Sequence, residues 1–154
     1  MFRTRTFAIL AATAMVTAIQ GVFASVAPDP SDSTVLVANV AEGVTETYAD
    51  KIARSYTKFI KTGKGTLILT AESSRNSATD FKGAVEVREG VLQLDNFYAL
   101  RECSYNNDTT KYMVSVSSNA QIRATFNSQG QTANALYNVA IEGDGPDGKG
   151  VKFE

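Results

Sequence analysis

Residues 61–96 read KTGKGTLILTAESSRNSATDFKGAVEVREGVLQLDN, and one short pattern occurs in them twice. Residues 65–69 (GTLIL) and 90–94 (GVLQL) each begin with a glycine and place two leucines on one face of a short strand, 25 residues apart. A third strand pattern, AVEVR at 84–88, lies between the two copies. A glycine and an alternating strand that recur at about 20 to 50 residues are typical of a repeat architecture.

The rest of the chain is also composed of short strand patterns separated by glycine or polar corners. Residues 49–55 are too few to form a stable helix alone, and we predict a turn or irregular strand there. In residues 121–126 we predict that Ile122, Ala124 and Phe126 point inward and that the residues between them point outward. The other strand patterns lie at 34–40, 44–48, 56–60, 111–117, 135–141 and from 151 onward. About nine strands and no convincing helix predict an all-β fold.

Two all-β architectures compete for this pattern. A β-sandwich needs alternating strands with turns every 8–12 residues, which the chain partly satisfies. A β-solenoid of a few coils needs strands whose apolar face is buried by stacking on neighbouring coils. Only the pair Glu89-Gly90 separates the strand of Val85 from that of Leu92, and this pair is not among the preferred hairpin turns. We therefore favour the solenoid and keep the sandwich as the alternative.

The amino terminus has the three-part layout of a secretory signal peptide, which we assign to residues 1–24. Arg3 and Arg5 precede a compact apolar run at 7–19, and small residues at 22–24 suit signal peptidase. The apolar run has 13 residues, too few for a bilayer core that needs about 20. We thus predict a secreted or cell-surface protein without a transmembrane segment in its mature chain. Residues 25–33 (SVAPDPSDS) are predicted to be a linker before a domain at 34–154.

Composition argues against several functions. The 15 Lys and Arg against 16 Asp and Glu give no electrostatic basis for binding nucleic acid. The chain has no His, the commonest acid–base catalyst and metal ligand. Cys103 is the single cysteine, so it forms no disulfide within the chain, and without a His to activate it we interpret it as a small buried hydrophobe.

The charged residues of the strands are the candidates for catalysis. Glu86 and Arg88 share an outward face beside Glu89, and Gln93 and Arg123 lie on others. A glycosidase needs two carboxyl groups about 5–10 Å apart in a cleft, and nothing in the sequence indicates such a pair. A solvated strand face with cross-strand charge pairs is the simpler interpretation.

Four further patterns are weak. Glu142, Asp144 and Asp147 among glycines lack the spacing of a calcium loop and predict a plain turn. Residues 63–65 (GKG) lack the remainder of a phosphate-binding loop, and 107–109 (NDT) is a glycosylation acceptor only in a eukaryotic secretory route. The six tyrosines could stack on sugars but are more simply interpreted as strand residues: Tyr48, Tyr56, Tyr98, Tyr105, Tyr112 and Tyr137.

The repeated stretch resembles the autotransporter-associated β-strand repeat. That family's unit has the outline K-x-G-x-G-x-L-x-L, a loop ending in an aromatic residue and glycine, a valine-rich strand, and G-x-L-x-L. Residues 61–70 and 81–94 follow this order, so one full unit lies at about 61–95. The resemblance implies a right-handed parallel β-helix in a bacterial surface passenger, with no catalytic residues. The chain departs from the family in having one full unit, and after residue 151 it leaves no room for a carboxy-terminal barrel. We expect either the amino-terminal piece of a longer passenger or a small relative.

Together these observations predict a structural or adhesive surface protein that is not an enzyme. We assign no catalytic, cofactor-binding or metal-binding residues. The partner is open, with a surface polysaccharide or another protein as the candidates, and a carbohydrate-binding or carbohydrate-active β-helix is the alternative function.

Overall fold

The computed structural model shows a chain built from strands and turns. It describes residues 25–73, 81–100, 114–125, 139–141 and 152–153. No helix forms within these ranges, so none of the described segments could cross a membrane as a helix. Eleven strands are present there: β1 Ser25–Asp29, β2 Asp32–Asn39, β3 Thr45–Tyr48, β4 Lys58–Thr62, β5 Thr66–Leu69, β6 Ala84–Val87, β7 Gly90–Leu94, β8 Val114–Val116, β9 Ala120–Ala124, β10 Val139–Ile141 and β11 Lys152–Phe153.

The strands form two sheets, and from β2 onward successive strands alternate between them. Sheet I has the order β1-β2-β4-β6-β8-β10, and sheet II has the order β11-β9-β7-β5-β3. β1 pairs with β2 antiparallel, and every other pairing of the described strands is parallel. The prediction of an all-β fold is confirmed for the part of the chain that the structure describes. A hairpin across Glu89-Gly90 would have made β6 and β7 neighbouring strands, but they lie in different sheets.

The two copies of the glycine and leucine pattern lie side by side in sheet II. Leu67 is aligned with Leu92, and Ile122 of β9 continues the same row. All three side chains are buried and belong to the core cluster, because alternate residues of a strand point to the same face. β9 is therefore a third, degenerate copy in which alanine at position 120 aligns with Gly90.

Sheet I contributes a matching set of inward rows. Phe59 of β4 lies between Leu36 and Val85, and Val114 extends the row in β8. These residues and the leucine rows of sheet II belong to one continuous core cluster. Burying an apolar side chain of this size contributes about 1.5–3 kcal/mol, so the stacked rows are the main source of stability.

In both sheets, the edge at the amino-terminal end of the parallel stack is protected against pairing with further strands. β1 covers the β2 edge of sheet I, although residues 25–33 were predicted to be a linker. That prediction overlooked local hydrogen bonds: Asp29 Oδ1 accepts from the backbone N–H of Ser31 at 2.8 Å and closes the turn into β2. Pro28 is tolerated because β1 is an edge strand, where a missing N–H leaves no ladder bond unmade. In sheet II, the exposed Glu46 ends the row of Leu67 with a charge, which discourages pairing with further strands.

Candidate functional site

The chain passes from sheet I to sheet II between β2 and β3, between β4 and β5, and between β6 and β7. These turns stack on one another and are here called the glycine corner, because they contain Gly43, Gly63, Gly65 and Gly90. Gly63 and Gly90 have φ of 73° and 67°, which favours glycine. The backbone N–H of Gly65 donates to the Val40 carbonyl at 2.9 Å. A Cβ added at Gly90 would lie closer than 3.0 Å to the carbonyl oxygens of Gly63 and Gly65. Successive corners are thus in direct backbone contact.

Lys61 is a buried lysine in the middle of an otherwise apolar row. Its neighbours in the adjacent strands are Ala38 and Val87, and its side chain has no exposed surface. Nζ donates to the carbonyl oxygens of Gly63 at 2.6 Å, Thr62 at 3.0 Å and Glu89 at 3.1 Å. The amine therefore satisfies three carbonyl groups of two successive corners and ties them together.

The electrostatic environment of Lys61 lowers the pKa of its amine. Burial disfavours the charged form and lowers this pKa to about 8, while the nearby Glu89 carboxylate acts in the opposite direction. Sequence reasoning placed Lys61 at the start of the repeated unit and gave it no buried role. The alternation of strand β4 (KFIKT) already placed Lys61 on the same face as Phe59, and this was the signal that could have located it.

A surface depression of about 400 Å³ lies on the glycine corner. It is lined by Glu42, Lys64, Glu89, Gly90 and Asn119. Lys64 Nζ lies 3.7 Å from Glu42 Oε2, with both side chains largely exposed. The N–H groups here serve the fold, since that of Gly63 donates to Glu89 Oε2 at 3.2 Å. Residues 63–65, which we considered as a phosphate loop, thus use two of their N–H groups internally.

The predicted charge pairs are present on the outward face of sheet I. Glu86 Oε1 accepts from Lys58 Nζ at 2.5 Å, and Glu86 Oε2 accepts from Arg88 Nη2 at 2.6 Å. Partial burial raises the pKa of Glu86, but the hydrogen bonds from the two cations outweigh it and the pKa is lowered. Glu86 is therefore a charged structural group rather than a proton donor near neutral pH.

The remaining residues considered for catalysis do not join Glu86. Glu89 lies at the glycine corner, bonded to Gly63. Gln93 and Arg123 are neighbours on the outward face of sheet II, where Arg123 Nη2 donates to Gln121 at 3.1 Å. Within the described ranges, no group of three Cys, His, Asp or Glu residues could hold a metal ion.

Tyr48 of β3 and Tyr56, which precedes β4, pack partly buried against the core, and the interpretation as a strand residue is confirmed for Tyr48. Burial raises the pKa of Tyr48, and the charge of Asp50 adds to this. Tyr98 makes an edge-to-face contact with Phe97, with ring centroids 5.1 Å apart. The other residues singled out from the sequence lie outside the described ranges: Cys103, Tyr105, Asn107, Thr109, Tyr112, Phe126, Tyr137, Glu142, Asp144 and Asp147.

A second depression, here called the cationic cleft, lies where the chain returns from sheet II to sheet I. It has a volume of about 270 Å³ and is lined by Arg54, Tyr56, Thr57, Lys82 and Gly83. Two segments distant in sequence build it, since the N–H of Ala84 donates to the Thr57 carbonyl at 3.0 Å. Sequence reasoning missed this site, because neither 54–57 nor 82–83 forms a motif alone.

Gly83 brings the two segments of the cationic cleft into close contact. A Cβ on Gly83 would lie closer than 3.0 Å to the Thr57 carbonyl oxygen and to the ring of Phe81. Phe81 itself is fully buried in the core. The residues on either side of Lys82 are therefore held firmly, so its position on the surface is well defined.

Comparisons with known proteins return nothing for this chain: no family model, no curated protein and no solved structure matches it.

Proposed function

We propose that the chain is a secreted or cell-surface β-solenoid with a structural or adhesive role and no enzymatic activity. The observation that carries the proposal is the in-register parallel stacking in both sheets, with one strand of each sheet contributed in turn. A coil that visits both sheets and steps to the next coil produces this order. Parallel crossovers are right-handed in about 98% of proteins, so the proposed solenoid is right-handed.

The structural role is supported by how the distinctive residues are used. Gly63, Gly90 and Lys61 of the repeated unit make contacts within the molecule and between successive corners. Glu86 of β6 is likewise engaged, with Lys58 of β4. The proposed resemblance to the autotransporter-associated repeat agrees with such use, since that unit carries no catalytic residues.

Export is tested by expressing the whole chain in a bacterial host and following it in cells, on the cell surface and in the medium. The intact chain should be exported and digested by protease added to whole cells. Leu10→Arg, which interrupts the apolar run, should retain the protein inside the cell. Ser31→Arg, the same residue introduced outside that run, is the matched control and should be exported normally. Retention of the intact chain, or export of both variants, would contradict the proposed localisation.

The adhesive role is tested separately, with the purified chain coated on a surface. Binding of whole cells or of isolated surface polysaccharide should saturate, and free chain should compete with it. Hydrolysis of the polysaccharide by the chain would instead favour the carbohydrate-active alternative. The carbohydrate-binding alternative is favoured by one observation, the tyrosine and two cations of the cationic cleft.

A further inference from the structure

The depression on the glycine corner is lined by residues from four successive turns of the stack. Glu42, Lys64, Glu89 and Asn119 come, in this order, from the turns before β3, β5, β7 and β9. Neighbouring strands of a sheet lie about 4.8 Å apart, so four stacked turns extend about 14 Å. The volume of about 400 Å³ falls within the roughly 300–1,000 Å³ of ligand pockets. The depression therefore has room for a ligand that lies along the stack.

Several polar groups of this depression have no strong partner in the part of the chain that the structure describes. The exposed side chain of Asn119 forms no hydrogen bond with a described residue, and its backbone carbonyl accepts from the first N–H of β7 at 3.1 Å. Glu89 Oε2 accepts from the N–H of Gly63, while Oε1 has no bond to any residue in those ranges. Among the described residues Lys64 pairs only with Glu42, at 3.7 Å, and an ion pair between two exposed side chains is weak. An amide, carboxylate oxygens and an ammonium are therefore available to a ligand.

The backbone of the glycine corner is already committed to the fold. The N–H groups of Gly63, Gly65 and Gly90 all donate within the molecule. A peptide strand that bound by main-chain pairing would need free N–H groups, and these three positions offer none. Recognition therefore falls to the side chains of the turns. Because Lys61 Nζ bonds to the carbonyls of both Gly63 and Glu89, these turns are fixed relative to one another, which lowers the cost of ordering them on binding.

The charges around the depression are balanced. The carboxylates of Glu42 and Glu89 are matched by the ammonium of Lys64 and by that of Lys61, which is buried with Nζ 3.1 Å from the Glu89 carbonyl oxygen. The Lys61 amine is mostly charged at neutral pH, since its pKa is about 8. A polyanion or a polycation would therefore meet repulsion as well as attraction. A hydroxyl group both donates and accepts, so a neutral ligand rich in hydroxyls can use all of the available groups.

We propose that the depression on the glycine corner binds a neutral polysaccharide, with consecutive sugar units lying along the stacked turns from Glu42 to Asn119. Sugar hydroxyls donate to the carboxylates of Glu42 and Glu89 and accept from Lys64 and the Asn119 amide. None of the described lining residues is aromatic, so binding depends on hydrogen bonds to several units rather than on stacking. The inference rests on the proposed function, since it names the ligand class of an adhesive surface chain.

Binding of the purified whole chain to immobilised polymers tests the proposal. The probes are dextran, mannan and galactan as neutral polysaccharides, polygalacturonate as an acidic polysaccharide, and poly-L-lysine as a cationic polymer without sugar. We expect at least one neutral polysaccharide to bind about fivefold or more tightly than polygalacturonate and poly-L-lysine, which is a difference of about 1 kcal/mol. Its affinity should change less than about twofold between about 0.05 and 0.5 M salt, because salt screens net charge attraction and the ligand carries no charge.

Two matched pairs of substitutions locate the site. Asn119→Ala and Lys64→Met should each weaken binding about three- to tenfold, the range expected for the loss of one hydrogen bond. The controls are Ser118→Ala, beside Asn119 but outside the lining, and Lys51→Met, an exposed lysine of a different turn. Each control should alter the affinity less than about twofold, as is usual for surface substitutions. Circular dichroism and urea midpoints close to those of the natural chain establish that the variants are folded.

The outcomes separate this inference from the proposed function. Equal or tighter binding to polygalacturonate or poly-L-lysine, no binding to any of the neutral polysaccharides, or equal effects within either matched pair would overturn the assignment. A chain that is exported and adheres to cells but binds no neutral polysaccharide would remove this inference alone. A chain that binds a neutral polysaccharide through Asn119 and Lys64 but is retained inside the cell would contradict the proposed localisation and leave the site in place.

Discussion

The stacked glycine corner allows steric crowding and backbone strain to be measured separately. Gly43 has φ of +76° and open space around its Cβ position. Gly65 has an ordinary φ, but a Cβ there would lie closer than 3.0 Å to the carbonyl oxygens of Ala41 and Val44. Gly90 combines a positive φ with a crowded Cβ position. Gly43→Ala therefore measures the cost of backbone strain, Gly65→Ala measures the cost of steric crowding, and Gly90→Ala measures the two together.

The magnitudes follow from these geometries. Gly43→Ala should cost about 1 kcal/mol, because left-handed backbone costs an L-residue about 1–2 kcal/mol and the loss of unfolded-state freedom offsets about 0.4–1 of it. Gly65→Ala should cost about 2–4 kcal/mol, because crowding costs about 1–3 and the 2.9 Å bond to the Val40 carbonyl is put at risk. Gly90→Ala should cost about 3–5 kcal/mol, a large part of the stability of a typical domain, about 5–15 kcal/mol.

Urea unfolding provides the assay. The chain has no Trp and six Tyr, so circular dichroism and tyrosine fluorescence are the suitable probes. The free energy of unfolding should be highest for Gly43→Ala, lower for Gly65→Ala and lowest for Gly90→Ala. If Gly90→Ala does not fold, Gly65→Ala still tests the crowding. Values for Gly65→Ala and Gly90→Ala within about 0.5 kcal/mol of Gly43→Ala would refute direct backbone contact between corners.

Three further predictions concern side chains. Leu92→Ala should cost about 2–5 kcal/mol, because the side chain is fully buried. Gln93→Ala, on the outward face of the same strand, should cost about 0.5 kcal/mol. Equal costs of the two variants in urea unfolding would contradict the inward orientation of Leu92. The pKa of Lys61 of about 8 lies below its usual 10.5, so its burial costs stability at low pH and the cost is relieved as pH rises. The free energy of unfolding of the natural chain minus that of Lys61→Met should thus increase by up to about 1.4 kcal/mol per pH unit between pH 8 and 10. If this difference stays constant over that range, the buried amine stays charged. Glu86→Gln should cost under about 1 kcal/mol of unfolding free energy, and less in 1 M salt, because its ion pairs with Lys58 and Arg88 are partly exposed. A larger cost that does not change with salt would mean that these ion pairs are desolvated.

The strand content and the pairing of β5 with β7 could be predicted because both depend on local patterns. Alternation identifies which residues of a strand share a face, and two glycines at matching positions identify equivalent corners. The positive φ of Gly90 agrees with the sharp corner predicted at Glu89-Gly90. The third copy at β9 was harder to find, since Ala120 and Ala124 replace a glycine and a leucine while only Ile122 keeps the pattern.

Other features depend on contacts between distant residues. β1 was missed because the prolines and aspartates of residues 25–33 indicate a linker locally, and only pairing with β2 makes residues 25–29 a strand. Lys61 was missed as a core residue because lysine is almost never buried unless its charge is satisfied. Here the satisfying carbonyls come partly from Glu89, 28 residues away in the chain. Composition cannot show that such a partner exists.

The division of roles between the two corners explains why a repeat pattern says little about the ligand. At the glycine corner, Gly63 and Gly90 contact neighbouring backbone, so these positions tolerate few residues and produce a recognisable motif. At the cationic cleft only Gly83 is constrained in this way, while Arg54 and Lys82 extend from the surface and could change without disturbing a strand. Loops on a rigid scaffold commonly carry binding residues for this reason. A motif built from the first corner therefore reports the scaffold, whereas the residues at the second leave no such motif.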